Sequence, residues 1–324
     1  MNTKSTSVIF VVLAAFGCAG VYLLFCRGTD KEEGRSAVPS FQSPTGTVVR
    51  ALPPSALGAH VATERKPPTV PSLKAVLTIT DAANDSLNAR LAALATLGKV
   101  LPDSEVEALL DFLDRRDGED VLPPEKLNAL KNDVVNLLRA QSKFPPVLST
   151  RLAAMWGDAG HDNVWRDYCI QHAGAAWGRV SDPAVRVEIR TLLWAAASEP
   201  AEPGSGTALI SLRNLVSSGA EDQMKVAERA GASASPSVSA PDGVRVTALQ
   251  IAAELEYAET ASLARPILMD RSQPIHLRMS AAAALGRVGD VSDLASLDTL
   301  ANSSEPRLRA SASAAAARIR QKIK

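Results

Sequence analysis

A short pattern recurs in the second half of the sequence and limits what this chain can fold into. Three stretches share it: "PDGVRVTALQIAAEL" from Pro241, "PIHLRMSAAAALGRVGD" from Pro274 and "EPRLRASASAAAARI" from Glu305. Pro241, Pro274 and Pro306 stand 33 and 32 residues apart. Each stretch continues with an arginine and then with closely spaced alanines. Repetition at such a period predicts an array in which one small structural unit stacks on the next.

The same pattern occurs much earlier in the chain. The stretch "RLAALATLGKVLPD" from Arg90 matches "RMSAAAALGRVGD" from Arg278 in its Leu, Gly, basic and Val positions. A partial unit, "DPAVRVEIRTLLWAAA", begins at Asp182. We therefore predict a structural role in the repeat for a set of arginines and glycines: Arg90, Gly98, Arg186, Arg245, Arg278, Gly286 and Arg309.

Residues 275–290 predict a helix that is covered on two sides. One apolar stripe consists of Leu277, Ala281, Ala284 and Val288, and a second consists of Ile275, Met279, Ala282 and Gly286. A helix with two apolar sides belongs inside a stack, where its small residues allow neighbouring helices to approach closely. Arg278 lies between the stripes, and we expect it to pair with Asp270 or Asp290.

These repeats resemble HEAT repeats, in particular the short bacterial form shared with bilin-lyase-like domains. The resemblance covers about 240–324 and about 85–115, and it is loose between 120 and 240. It implies antiparallel helical hairpins stacked into a curved solenoid. The family motif is structural, so it implies a scaffold or binding surface and supplies no catalytic residues. We therefore predict an all-α fold, an α-solenoid over 73–324 that is irregular over 116–240 and regular over 241–324.

Local signals agree with a helical fold. Aromatic residues make up 4% of the chain, and apolar residues rarely alternate with polar ones as they do in strands. Ser104 and Glu107 have the spacing of a capping box, and Asp182 before Pro183 is a helix start signal. Residues 231–243, "GASASPSVSAPDG", predict a loop that serves as a hinge or protease-sensitive site.

The N-terminal region predicts a membrane anchor. After a short tail, 1–7, an uncharged run from Val8 to Cys26 is long enough as a helix to cross a hydrocarbon core of about 30 Å. A cleaved signal, or lipidation at Cys18, remains an alternative. Ala15 and Ala19 form a small-xxx-small pair that would allow two anchors to associate into a homo-oligomer.

The next segment predicts a spacer between this anchor and the helical array. Residues 27–72 contain seven prolines with scattered Ser, Thr and Gly and no apolar periodicity. A short basic head before an apolar run is typical of exported bacterial-type proteins, although the charge count slightly favours a cytoplasmic C-terminal side. We expect a single-pass protein of the inner cell membrane with its solenoid on the exported, periplasmic side.

One region is unusually rich in aromatic residues. All four tryptophans fall within 39 residues, and helical spacing places Trp165, Tyr168 and His172 on one face, with Trp177 on the adjoining segment. Large aromatics fill gaps between unequal helices, and they also serve as anchors for binding partners. Trp165, Tyr168, His172 and Trp177 are thus candidate partner-binding residues, with core filling and a small-molecule pocket as alternatives.

The sequence contains few signals of catalysis. Its four histidines and three cysteines show no metal-ligand spacing, and phosphate-binding and nucleophile-elbow motifs are absent. We predict no catalytic, metal or cofactor-binding residue and no cofactor, although Cys169 with His172 could form a nucleophile and base. The formal net charge of zero argues against nucleic acid as a partner. The resulting prediction is a membrane-tethered scaffold for protein–protein interaction that is not an enzyme; the alternative is a small-molecule-binding or lyase-type enzyme that uses residues 165–172.

Overall fold

The computed structural model describes residues 71–324, and this part of the chain is entirely helical. It contains fourteen α-helices, two short 3-10 turns and no β-strand. The helices are α1 (Pro71–Thr80), α2 (Leu87–Ala95), α3 (Asp103–Leu113), α4 (Pro124–Arg139), α5 (Val147–Gly157), α6 (Asn163–Ala176), α7 (Pro183–Ser198), α8 (Ser205–Ser217), α9 (Gln223–Ala234), α10 (Asp242–Glu254), α11 (Thr260–Met269), α12 (Ile275–Val288), α13 (Leu294–Leu300) and α14 (Pro306–Lys322). The 3-10 turns are Trp177–Arg179 and Val291–Asp293. The prediction of an all-α fold is confirmed.

The helices form seven sequential pairs, and the pairs stack. Each odd-numbered helix packs against the even-numbered helix that follows it, and each even-numbered helix also packs against the next even-numbered one. The even-numbered helices therefore make one continuous layer from α2 to α14, with the odd-numbered helices on one side. This alternation runs without a break through 116–240, where the sequence repeats are loose. The arrangement is consistent with an α-solenoid.

The predictions for the N-terminal region lie largely outside the described residues. This holds for the tail 1–7, for the anchor from Val8 to Cys26 and for the linker 27–72 up to its last residues. The array begins slightly earlier than predicted, because α1 starts at Pro71, where proline is tolerated in a first helical turn. Within residues 71–324, no helix combines the length and the apolar character that a membrane crossing needs.

A recurrent arginine joins the two helices of a hairpin. Arg90, Arg166 and Arg278 each occupy the fourth position of an even-numbered helix, and each donates from Nε to a carbonyl near the end of the preceding helix. The acceptors are Ile79 at 2.8 Å, Trp156 at 2.7 Å and Leu268 at 3.0 Å, in that order. The last carbonyls of a helix have no partner within the helix, and the guanidinium supplies one.

The other arginines predicted to be structural, Arg186, Arg245 and Arg309, make related but different contacts. Arg186, fourth in α7, donates from Nε to the Val180 carbonyl at 2.8 Å. Arg245, fourth in α10, bonds the Gln273 side chain at 3.1 Å instead. Arg309 is exposed and makes a long contact of 3.4 Å to the Ser303 carbonyl. The Nε of Arg278 bonds a backbone carbonyl, and neither Asp270 nor Asp290 lies within 4.0 Å of its guanidinium. The expected pairing with Asp270 holds only at longer range: hydrogen bonds from Ser272 and Gln273, with the charge of Arg278, lower the pKa of Asp270.

The two predicted repeat glycines have different environments. A Cβ placed at Gly286 would lie 2.8 Å from Cα of Ala315, so that α12 and α14 touch there through their backbones. Gly286 is thus confirmed as a close-packing position. Gly98 is exposed, lies beyond the end of α2 and has nothing within 4 Å of its Cβ position. Its predicted packing role is wrong, because α2 ends at Ala95, before the residues that match the last turns of α12.

Three boundary predictions have different outcomes. Asp182 caps α7 as expected and accepts from the Ala184 amide at 2.8 Å. The capping box at Ser104 is wrong, because α3 begins at Asp103 after Pro102 and has no side-chain cap. The predicted loop 231–243 is also wrong in its first third, since α9 continues to Ala234. Gly231 lies inside that helix and against the ring of Tyr257, so its small size serves packing.

Candidate functional site

The four candidate partner-binding residues do not form a single surface. Trp165 and His172 are only 1% and 3% exposed, which makes them part of the core between α4 and α6. Tyr168 and Trp177 are half-buried and pack against that core from its margin. Trp165 and His172 therefore cannot contact a partner in this conformation, because neighbouring helices cover them. Tyr168 and Trp177 stay candidates.

Trp165 packs against a buried lysine. The ammonium of Lys131 lies 4.9 Å from the centroid of the Trp165 ring, and it also donates to the backbone carbonyl of Arg115. Burial disfavours the charged form and lowers the pKa of Lys131 to about 8, although charges nearby, including Asp117 and Asp114, oppose this shift. The predicted aromatic cluster is thus a closed interior site with one titratable amine.

Cys169 and His172 do not form a nucleophile and base. Burial raises the pKa of the Cys169 thiol far above its ordinary value, which leaves the thiol protonated. Burial, with Arg139 nearby, lowers the pKa of His172 to about 3, so the imidazole is neutral at pH 7. Its Nδ1 accepts from Nη1 of Arg139 at 3.3 Å, and its Nε2 donates to Oδ1 of Asn132 at 3.1 Å. Both ring nitrogens are engaged in holding α4 to α6.

Two arginines join the C-terminal ends of these same helices. Nη2 of Arg139, the last residue of α4, donates to the Ala175 carbonyl in the last turn of α6 at 2.9 Å. Nη2 of Arg179, in the turn after α6, donates to the Gln141 carbonyl just beyond α4 at 3.1 Å. We call this reciprocal contact the arginine clasp. Burial and the charge of Arg179 lower the pKa of Arg139 from its ordinary value.

The even-numbered layer leaves one face of its helices open. An inner helix such as α6 or α10 is contacted by even-numbered helices on two sides and by odd-numbered helices on a third. Four consecutive even-numbered helices each carry one exposed amide side chain on this open face: Asn136 on α4, Gln171 on α6, Asn214 on α8 and Gln250 on α10. We call these the amide row. Tyr168 lies one helical turn from Gln171 on the same face.

Sequence reasoning missed three parts of this site. Arg166 has the hairpin contact described above, and the spacing in "DNVWR" equals that in "DPAVR", which could have identified it. The arginine clasp and the amide row carry no local signal, because their members lie on different helices. In the described part of the chain, no group of three or more His, Cys, Asp or Glu side chains is arranged to hold a metal ion.

Comparison with known proteins gives one informative result. No family model matches the chain, and no curated protein matches it. Among solved structures, the chain is similar to human deoxyhypusine hydroxylase in complex with glycerol, with 17% identity and a TM-score of 0.32 over 78% of this chain and 98% of that one. The likeness is confined to the helical arrangement and carries no reaction or site to this chain. The matched protein is an enzyme, so a helical-repeat fold does not exclude catalysis, and the prediction that the chain is not an enzyme does not stand on its fold.

Proposed function

We propose that this chain is a membrane-tethered scaffold of the HEAT-repeat type that binds a protein partner along the open face of the even-numbered layer. Stacked repeats offer an extended surface of this kind, and repeat proteins use it for recognition. In this proposal the partner lies across α4, α6, α8 and α10. Tyr168 and Trp177 flank its path at the α6 end.

The amide row is the observation that carries this proposal. Gln171, Asn214 and Gln250 are exposed, and their side chains have no hydrogen-bond partner in residues 71–324. An amide side chain has both donors and an acceptor, so it can bond the N–H and C=O groups of an extended polypeptide. One such group on each successive helix would contact a segment of chain at regular intervals.

The tether is the second part of the proposal. Residues 8–26 would form the single-pass anchor and 27–72 the spacer, with the array on the exported side of the inner membrane as the short basic head before the apolar run favours. Alkaline extraction and protease treatment of intact spheroplasts test this arrangement. We expect the chain to remain with the membrane and its helical domain to be digested from outside. Release by alkali, or a domain digested only after lysis, would contradict it.

Photocrosslinking tests the binding face. A photoreactive residue replaces Gln171 or Gln250 in the full-length chain, and Val187 serves as the control because it is exposed on α7, in the other layer. We expect the same partner to be crosslinked from Gln171 and Gln250 in native membranes and not from Val187. Equal crosslinking from all three positions, or none from the amide row, would remove the proposed binding face.

A further inference from the structure

One edge of the array is basic in its first three inter-hairpin turns, which follow α2, α4 and α6. The loops 96–102, 139–146 and 175–182 together contain Lys99, Arg139, Lys143 and Arg179 and a single acidic residue, Asp182, which caps α7. Lys99, Lys143 and Arg179 are exposed, and Arg139 is half-buried. We call these four residues the basic edge.

Hydrogen bonds hold these loops beside one another. The Ser142 amide donates to the Lys99 carbonyl at 2.7 Å, and the buried Gln141 side chain bonds both Gly98 and Leu101. Arg179 then joins Gln141 to the third loop through the arginine clasp. The four cations are therefore carried by a connected part of the fold.

The opposite edge has the reverse character. Its loops within hairpins, 81–86, 114–123 and 158–162, contain eight Asp or Glu residues against two arginines, Arg115 and Arg116. Both arginines are neutralised there, Arg115 by Asp120 at 2.9 Å and Arg116 by Asp158 at 2.7 Å. The first half of the array is thus polarised across its width.

The cations of the arginine clasp have no counter-charge in the fold. Within residues 71–324, no carboxylate oxygen lies within 4.0 Å of Arg139 or Arg179, and their partners are neutral oxygens and the neutral His172 ring. By contrast, Arg151 on α5 contacts Glu107, Asp111 and Asp114. Two like charges held close together without a carboxylate favour the binding of an anion.

Helix dipoles account for only part of this charge. Cations are favoured at helix C-termini, where the basic edge lies. The corresponding turns later in the array have the same dipoles, yet they carry acidic residues: Glu221, Asp222, Glu256, Glu259, Asp290 and Asp293. An excess of basic over acidic residues, four against one, therefore distinguishes the turns after α2, α4 and α6 and requires a separate explanation.

We infer that the partner segment bound by this face is acidic and that its carboxylates contact the basic edge. The inference rests on the proposed function and adds the chemistry of the partner. Asn136 on α4 and Gln171 on α6 are exposed near the ends of the helices that the clasp joins. These amides suit a peptide backbone, which has donors and acceptors, whereas a phosphodiester backbone presents acceptors only. The combination favours an acidic peptide over nucleic acid or a lipid surface.

Binding to defined probes tests the inference. The full-length chain in detergent is titrated with a fluorescein-labelled peptide of alternating glutamate and serine, with the matching lysine peptide, with short polyuridylate and with phosphatidylglycerol vesicles. We expect the acidic peptide alone to bind, with an affinity that falls as salt is added. Lys143→Glu and Arg179→Glu should each weaken binding about tenfold.

The matched control lies at the other end of α4. Lys126→Glu makes the same charge change in the first turn of that helix, on the acidic edge, and should leave the affinity unchanged. Lys143 is exposed and its side chain makes no hydrogen bond or ion pair within residues 71–324, so Lys143→Glu keeps the test valid even if Arg179→Glu fails to fold. Equal loss in Lys126→Glu would overturn the inference, as would binding of polyuridylate or vesicles through the basic edge.

The two proposals fail in different ways. If the Gln171 crosslink persists while the acidic peptide does not bind, the binding face stands and the acidic partner is wrong. If the amide row gives no crosslink, the proposed function itself is wrong.

Discussion

Arg139 and Arg179 each cap the C-terminal end of the helix that carries the other. Arg139 bonds the Ala175 carbonyl at 2.9 Å, and Arg179 bonds the Gln141 carbonyl at 3.1 Å. The first contact satisfies a carbonyl group that α6 leaves unpaired at its end, and the second satisfies a carbonyl in the loop just beyond α4. They also hold two positive charges close together at the edge of the array. The clasp therefore stabilises the α4–α6 contact. It also leaves two positive charges without a carboxylate partner, which favours the binding of an anion.

The clasp should make stability depend on salt. We expect Arg139→Ala to lower the free energy of unfolding by about 1–2 kcal/mol, because its hydrogen bonds to Asn136, His172 and Ala175 are lost. We also expect added salt to stabilise the wild type more than the variant, since screening reduces the repulsion between Arg139 and Arg179. Urea unfolding at two salt concentrations measures both effects. Arg318→Ala, an exposed change on α14, should stay within about 0.5 kcal/mol.

The ion pair between Arg90 and Asp120 is buried and should be sensitive to substitution. Both side chains are fully buried, and Asp120 accepts from Arg90 at 2.8 Å and from Arg115 at 2.9 Å. Asp120→Asn removes the negative charge and leaves Arg90 without a counter-charge, which should cost about 3–5 kcal/mol in denaturant unfolding. Asp298→Asn, in the exposed pair with Arg320, should cost less than about 1 kcal/mol. Similar losses at both sites would contradict this account.

Gly286 and Gly98 offer a matched pair of substitutions at equivalent sequence positions. Gly286→Ala places a methyl group against the backbone of Ala315 and should destabilise the fold by about 1–3 kcal/mol. Gly98→Ala meets nothing within 4 Å and should be neutral or slightly stabilising. Thermal unfolding of the two variants measures the difference. An equal loss of stability in Gly98→Ala would show that Gly98 is packed as closely as Gly286.

Lys131 should make stability depend on alkaline pH. Its pKa is about 8 in the folded protein against an ordinary 10.5, so between these values the unfolded chain binds more protons than the folded one. Stability should therefore rise as the pH increases from about 8 to 10.5, and the rise should be absent in Lys131→Met. Unfolding free energies across this range give the slope. Lys126→Met is the control and should keep the wild-type slope, because Lys126 is exposed.

The sequence predicts the fold more fully than the site. Helical periodicity and the repeated Pro-Arg-Ala pattern predict stacked helical hairpins, because repeat packing imposes the same small residues on every unit. Arg278 and Gly286 are structural as predicted, although Arg278 bonds the Leu268 carbonyl rather than an aspartate. Gly98 differs because α2 ends at Ala95, three residues before it, and the local match does not reveal this end.

The site depends on contacts between helices, which periodicity does not reveal. Trp165 and His172 share a helical face with Tyr168 in sequence, yet only Tyr168 reaches the open face, because α4 covers the other two. The clasp joins residues 36 and 38 positions apart. The acceptors in the clasp are backbone carbonyls, which every residue has, so no residue type in the sequence marks them. Such features follow only from the packed arrangement.

Hydrogen–deuterium exchange of the full-length chain with the acidic peptide tests the central claim most directly. We predict slower exchange in the segments that border the basic edge and the open face, 132–146 and 168–181, with no change in the acidic loops 114–123 and 158–162. At a peptide concentration near the wild-type dissociation constant, the effect should be strongly reduced in Lys143→Glu and kept in Lys126→Glu. Protection of the acidic loops, or protection undiminished in Lys143→Glu, would contradict the proposed binding face and its preference for acidic segments.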